Sequence, residues 1–454
     1  MSSWIVIVAG VSASLALLSG GTFFGWTSPA FALYKNENGT SYMILTETEE
    51  SWIAALLSIS GALGSALSVI STNKLGRKFT MLIWVIPACL SWLLIAHATE
   101  PWQLCLSRFI SGISLASWFI ATPMYLSEIS PPEIRGILMT GAQMASKLGI
   151  LFEYSYGPFL SVKHGAYVSL LFPLLFGLTF IWLPESPYYF IRHGNRIKAK
   201  KSLLKFRGNH SNVNDELEMI EKTVNTTISQ SFGFKDLLIV KGNRTALKIS
   251  LTLLIIQQFT GNQAIIAYAQ GIFDSTNSPL AGKYSTIILG CLSVICTLIC
   301  TILVDKNGRR LLLLISSIGC FIILTILSIF FYLNTIKLIP SYLNLLPTIG
   351  IMIYSILFAG LGALPYTIMG ELFPTNVKAL GCSVGIVVVS SSCAFVVLLH
   401  KTICQLFEQY GLFYMFTFYA VSSGVGAIYI YFCVPETKGK TLQQIQNELH
   451  AVKK

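Results

Sequence analysis

"ILVDKNGRRLLLL", residues 302–314, interrupts a long apolar region with four charges, Asp305, Lys306, Arg309 and Arg310. The chain has 454 residues and is only 11% charged, so such a cluster needs a reason. "STNKLGRKFTML", residues 71–82, carries a similar turn. Gly76-Arg77-Lys78 precedes Gly308-Arg309-Arg310 by 232 positions, about half the chain. A turn written twice at that spacing points to an internal duplication.

The composition sets the environment. The chain is 54% hydrophobic with a mean hydropathy of +0.67, too apolar for its surface to face water throughout. Runs of about 20 apolar residues recur, each long enough to cross roughly 30 Å of hydrocarbon. They are continuous rather than alternating, which argues for helices over a transmembrane barrel. The first run, from Trp4 to Leu33, is too long for a signal core and lacks a basic start. The ten cysteines lie in or beside apolar runs without paired loop spacing, which predicts small buried side chains and neither a disulfide framework nor a metal site.

Twelve apolar runs lie between residues 6 and 434, the fifth at 136–160. An even number places both termini on one side. With that side cytoplasmic, the inner segments hold 23 Lys and Arg and the outer segments five: Lys35, Lys163, Lys283, Lys337 and Lys401. The positive-inside rule therefore predicts cytosolic termini, and the net charge of +11 needs no nucleic acid to explain it. The expected organisation is an N-terminal six-helix bundle at 1–184, a cytosolic loop at 185–244, a second six-helix bundle at 245–434 and a cytosolic tail at 435–454. Within the loop, "NRIKAKKSLLKF" and "NDELEMIEKTV" read as short amphipathic helices at the membrane surface.

The duplication extends beyond the basic turns. Glu128 after span four is followed seven residues later by Arg135; Glu371 after span ten is followed at the same distance by Lys378. "PESP" with Glu185 follows span six, and "PETK" with Glu436 follows span twelve. Three features in one order, twice, predict two homologous halves, the plan of transporters that rock one repeat against another. Arg77, Lys78, Arg309 and Arg310 are then placed to pair with Glu128, Glu185, Glu371 and Glu436 in a cytosolic latch. The planar guanidinium suits such pairing.

The motifs "KLGRK", "SRFISG", "YLSEISPPEIRG", "PESP", "QQFTG", "DKNGRR", "ELFPTNVKALG" and "VPETKGKT" resemble those of the sugar porters of the major facilitator superfamily, most closely the insect facilitated trehalose transporters. The resemblance covers essentially the whole chain. It implies an all-α membrane protein of twelve transmembrane helices, alternating access, and a hexose or trehalose bound at the midplane. Sugars offer hydroxyls that donate and accept, which amides match. Span five carries Gln143; span seven carries Gln257, Gln258, Asn262 and Gln263. By resemblance, Gln143, Gln257 and Gln258 fall on the family's sugar-binding glutamines. Gln263, Tyr366 and Ser392 stand at cavity positions where relatives carry Asn, Trp and Asn, which leaves the exact sugar open. Asn73 replaces an Asp, and Ser107 a Gly. Thr27 stands where proton-coupled relatives keep an Asp, so a uniporter is expected rather than a symporter.

Lys147 lies one helical turn after Gln143 and shares its face, so it is a candidate to select substrate. A transporter-like sensor is an alternative; an enzyme is not expected, since no metal-spaced cluster, nucleophile motif or phosphate loop occurs. The expected partners are a small sugar and the lipid bilayer of the plasma membrane, with no cofactor and a functional monomer. Of four N-x-[S/T] sequons, only Asn38 lies outside in this topology. Asn38→Gln is therefore expected to abolish any glycan-dependent gel shift. A shift that survives it and disappears with Asn225→Gln would overturn the topology.

Overall fold

The computed structural model describes residues 4–35, 43–208, 213–229, 234–276 and 279–438, with 440 and 444. Asn38 lies outside the described residues, as does most of the tail. Among the described residues the chain is helical and contains no strand. The first helices are α1 (Trp4–Gly25), α2 (Thr27–Lys35), α3 (Glu47–Lys74), α4 (Arg77–Ile83), α5 (Val85–Ala96), α6 (Pro101–Ile129), α7 (Pro132–Tyr156) and α8 (Val162–Phe180). Four shorter or polar helices follow: α9 (Pro187–Arg192), α10 (Arg196–Arg207), α11 (Val213–Ser229) and α12 (Phe234–Ile239). The remainder are α13 (Lys241–Phe259), α14 (Asn262–Asp274), α15 (Gly282–Asn307), α16 (Arg309–Thr335), α17 (Leu346–Leu372), α18 (Thr375–Leu406) and α19 (Gly411–Cys433).

Eleven helical segments among the described residues are long and apolar enough to cross a membrane. Span five, α7, is absent from them because of its polarity. Its 25 residues reach about 37 Å, but Arg135, Gln143, Lys147 and Glu153 lower its hydropathy.

The chain divides into two compact units, Met1–Gly25 with Ile59–Ser231 and Trp26–Ser58 with Phe232–Lys454. In the first unit, α1 and α7 pack backbone to backbone. A Cβ on Gly21 would fall 2.0 Å from the Ser146 carbonyl oxygen, and one on Gly149 2.0 Å from that of Leu18. Only small residues permit this approach, a common device where lipid offers no hydrophobic drive between helices. Several buried polar side chains of this unit are satisfied internally, as hydrocarbon favours. Arg108 donates to the Phe23 carbonyl at 2.8 Å, Trp118 Nε1 to Met81 at 3.0 Å, and Ser91 and Ser107 share a 3.0 Å bond.

The expected amphipathic helices of the central loop are α10 and α11. Their apolar faces pack on each other, with Ala199, Leu203, Leu217 and Ile220 buried beside Tyr188 and Ile191. Arg207 fastens them through Glu216 at 2.8 Å and reaches the Ile129 carbonyl at the same distance. In the second unit, Ser317 donates to the Ser423 carbonyl at 2.8 Å and Ser328 pairs with Thr417 at 2.6 Å, stitching α16 to α19. Span seven is broken between α13 and α14 at Thr260-Gly261, where the Tyr354 hydroxyl caps the Thr260 carbonyl at 3.0 Å.

Gly149→Ala is expected to lower the thermal midpoint of the detergent-solubilised chain, by the ~1–3 kcal/mol typical of overpacking. Gly141→Ala, where an added Cβ meets nothing within 4 Å, serves as the control and should be neutral or stabilising. Equal midpoints for the two variants would contradict the α1–α7 contact.

Candidate functional site

The duplicated basic turns are built alike. Gly76 and Gly308 precede α4 and α16 with φ of 97° and 86°, a region that L side chains rarely adopt. Each glycine also makes room for a carboxylate: an added Cβ would lie 2.4 Å from Glu185 Oε2 or 2.9 Å from Glu436 Oε2. Glu185 accepts from the backbone N–H groups of Arg77 at 3.1 Å and Lys78 at 2.9 Å. Glu436 accepts from those of Arg309 and Arg310, both at 3.1 Å. The acids thus occupy helix N-termini, where free N–H groups and the helix dipole favour an anion.

The arginine side chains are left to reach a second carboxylate. Arg77 meets Glu128 through Nη2 at 2.7 Å and Nε at 3.1 Å; Arg309 meets Glu371 through Nη2 at 3.1 Å. The side chains of Lys78 and Arg310 differ from the sequence expectation. They donate to the carbonyls of Ile181, at 2.7 Å, and Tyr431, because Glu185 and Glu436 are already held by backbone donors. Arg135 donates to the Ser130 carbonyl at 3.2 Å. The side chain of Lys378 lies outside the described residues.

The two copies differ in quality. Ser186 adds a hydroxyl bond to Glu128, whereas Glu371 Oε2 and Arg309 Nε are buried without a hydrogen-bond partner. Burial pushes the Glu185 carboxyl up, against the pull of backbone N–H donors and the charge of Arg77. At Glu436 burial acts in the same direction, but four backbone N–H bonds outweigh it and hold the carboxyl below its ordinary range.

The break in span seven organises the amides of the second unit. Gln257 donates to the carbonyls of Leu361 at 3.0 Å and Gly362 at 2.8 Å, and accepts from Gln258 at 3.2 Å. Its amide therefore spends its donors on α17 and positions Gln258. Asn262 and Gln263 open α14, half-buried; Ser392 is half-buried and Tyr366 exposed. In the first unit Gln143 is exposed and Lys147 half-buried on the same helix. Among the described residues no carboxylate lies within ion-pair distance of Lys147. Glu153 is bonded instead by Ser169, at 2.6 Å.

The profile of the family described as "Sugar (and other) transporter" matches residues 11–449. The chain belongs to this sugar transporter family. Among similar proteins, Facilitated trehalose transporter Tret1 of Culex quinquefasciatus is 33% identical over 447 residues, covering 98% of this chain and 85% of that protein. The Tret1 of Drosophila grimshawi is 31% identical over 448 residues, 98% of this chain but 48% of its own length. The chain thus spans about half the length of several relatives. In fold it is similar to the inward-open xylose transporter XylE from E. coli, with a TM-score of 0.80 at 20% identity over 98% of this chain and 99% of that one. That likeness and the helices described above identify the all-α major facilitator fold.

Two departures from the family pattern, at the first basic turn and before Arg108, acquire structural roles in this chain. Asn73 accepts from Arg192 at 2.9 Å, and the Ser107 hydroxyl is satisfied by Ser91. Two features escaped the sequence reading: the Ser169–Glu153 bond, and ion pairs of Lys35 and Lys401 with Glu47 and Glu50. The three glutamates in the first turn of α3 were the available signal for the second. Because the first latch is doubly bonded and the second singly bonded, Arg77→Ala is expected to reduce sugar flux several-fold more than Arg309→Ala, itself roughly five-fold. Glu371→Gln should slow flux while cytosolic-side binding persists. Unchanged flux in both Arg309→Ala and Glu371→Gln would remove the second latch from the mechanism.

Proposed function

We propose that this protein carries a neutral sugar, a hexose or trehalose, across the plasma membrane by facilitative alternating access, as a monomer with both termini cytosolic. The observation that carries this reading is the duplicated latch, a carboxylate on a helix N-terminus beside a second carboxylate gripped by arginine. It occurs once in each sequence repeat, and a carrier that rocks two repeats needs breakable contacts at both. We place the functional halves at 1–184 and 245–434, with the central helices at 185–244 belonging to the cytosolic face.

Sugar recognition is assigned to Gln143 and Lys147 on α7, to Gln258, Asn262 and Gln263 at the broken span seven, and to Tyr366 and Ser392. Gln257 serves as the group that aims Gln258. Amides both donate and accept, so each can meet a hydroxyl of either polarity. The facilitated trehalose transporters among the relatives support a disaccharide as one candidate. Thr27 supplies no titratable carboxylate in span one, which supports uniport.

A second reading, proton coupling, has one observation in its favour. Glu153 is buried at 1% exposure, is bonded by the Ser169 hydroxyl, and lies within Coulombic range of Arg108. Uptake of labelled glucose, trehalose and sugar acids into proteoliposomes, with and without a pH gradient, separates the two. Uniport predicts equal accumulation under both conditions; accumulation driven by the gradient identifies the symporter. Gln258→Ala is expected to reduce uptake about ten-fold, the effect of leaving a buried polar partner unmade. Lys147→Val should shift the ratio of neutral to anionic substrates. An unchanged ratio assigns Lys147 a structural role.

A further inference from the structure

Four charged side chains from three helices meet at the end of the second unit opposite in sequence register to the basic turns. Lys401 on α18 lies 2.8 Å from Glu50 and 3.5 Å from Glu47, both on the first turn of α3. Lys35, at the end of α2, lies 3.8 Å from Glu50 and 3.7 Å from Glu47. The central pair is buried, with side-chain exposures of 1% for Glu50 and 11% for Lys401. Beneath it, Lys401 Nζ sits 5.8 Å from the Tyr268 ring, which stacks on Phe31 at 5.9 Å. Lys35 and Lys401 are two of the five outer lysines of the positive-inside count, so this end is the extracellular one in the topology proposed above.

We propose that Glu50 and Lys401, supported by Lys35 and Glu47, form an outer clamp that closes the extracellular mouth and sets the bias of the transport cycle. They act as positioning residues and do not touch the sugar.

Chain organisation gives the first reason. Helices α1–α2 and α3 each cross from one compact unit to the other, at Gly25/Trp26 and at Ser58/Ile59. The clamp joins the outer ends of these crossing helices to α18. All four residues lie in the second compact unit, but Lys35, Glu47 and Glu50 belong to the first sequence repeat and Lys401 to the second, so in a carrier whose repeats rock against each other such a contact forms in one state and parts in the other.

Physical chemistry gives the second. The cluster is formally neutral, two lysines against two glutamates, so each charge is compensated while buried. When the mouth opens, water solvates the separated ions. An apolar seal of equal area would instead expose hydrocarbon. Paired charges are therefore tolerated in both states, as a gate requires. The cost of breaking them is felt only during opening. Glu50 Oε1 has no hydrogen-bond partner in the closed arrangement, so the carboxylate gains bonds when water reaches it. The clamp relies on side chains alone, unlike Glu185 and Glu436, which are held by backbone donors.

The proposal rests on the alternating-access reading but not on the identity of the solute. Its test needs no sugar. A cysteine at Ala30, 3% exposed on α2, reports opening by its rate of reaction with a membrane-impermeant maleimide added outside, above the background of the otherwise unchanged full chain. Lys401→Gln is expected to raise that rate about ten-fold. Lys401→Arg should keep it near the starting value, and the exchanged pair Glu50→Lys/Lys401→Glu should restore it. Should Lys401→Gln fail to reach the membrane, Glu50→Gln is read in its place with the same expectation. An unchanged rate in the neutralised variant overturns the clamp. So does an exchanged pair that labels as fast as the neutralised one. Faster labelling without uptake of any sugar would keep the clamp and refute the sugar assignment.

Discussion

A carboxylate seated on the first backbone N–H groups of a helix is the interaction on which the rest of the basic end of the spans depends. Twice the chain turns through a glycine with positive φ, and twice a glutamate from a Pro-Glu segment fills the space that a Cβ would have taken. The acid is then held by main-chain donors that cannot rotate away. This frees the adjacent arginine from pairing with it, so the guanidinium extends to the glutamate at the end of span four or span ten. One glycine thereby organises two carboxylates, an arginine and a helix start.

The two ends of the spans use charge differently. On the basic side, anchoring through the backbone fixes one acid permanently and leaves one arginine pair to form or break. On the other side Glu47, Glu50, Lys35 and Lys401 meet only through side chains. Exposed ion pairs contribute little, because water competes for each partner. A pair with side-chain exposures of 1% and 11% is in a different regime, since its strength depends on water staying out. Opening a path for water is therefore itself what weakens it.

How much of this was legible followed from repetition. The G-R-[R/K] turns, Glu128 with Glu371, and Glu185 with Glu436 could be found because each occurs twice in one order. The arginine–glutamate pairs read from that pattern are present among the described residues. The finer assignment of Lys78 and Arg310 was not legible. A sequence names the side chains but does not show that backbone N–H groups satisfy the acids first. Lys401 meets Glu50 across 351 positions and has no second copy, so repetition did not point to it, and the glutamates in the first turn of α3 named no partner. The Glu153–Ser169 bond was hidden for the same reason. Asn73 and Ser107, legible only as departures from a family pattern, prove to be locally satisfied by Arg192 and Ser91.

The fifth span shows why polarity in such a chain is informative. Helix α7 alone among the expected spans is too polar to qualify as membrane-crossing, yet it packs as closely as any helix here. Its small residues Ser146 and Gly149 face α1, and Glu153 lies buried with Ser169. Those contacts consume one side of the helix. Gln143 and Lys147 stand one turn apart and are less enclosed. Hydrocarbon cannot solvate an amide and an ammonium group without a large cost, and among the described residues no carboxylate lies within ion-pair distance of the lysine. Such a side is stable only if it meets water or a polar solute. A helix that binds its neighbour through glycine and presents amide and amine elsewhere has the chemistry a sugar path needs.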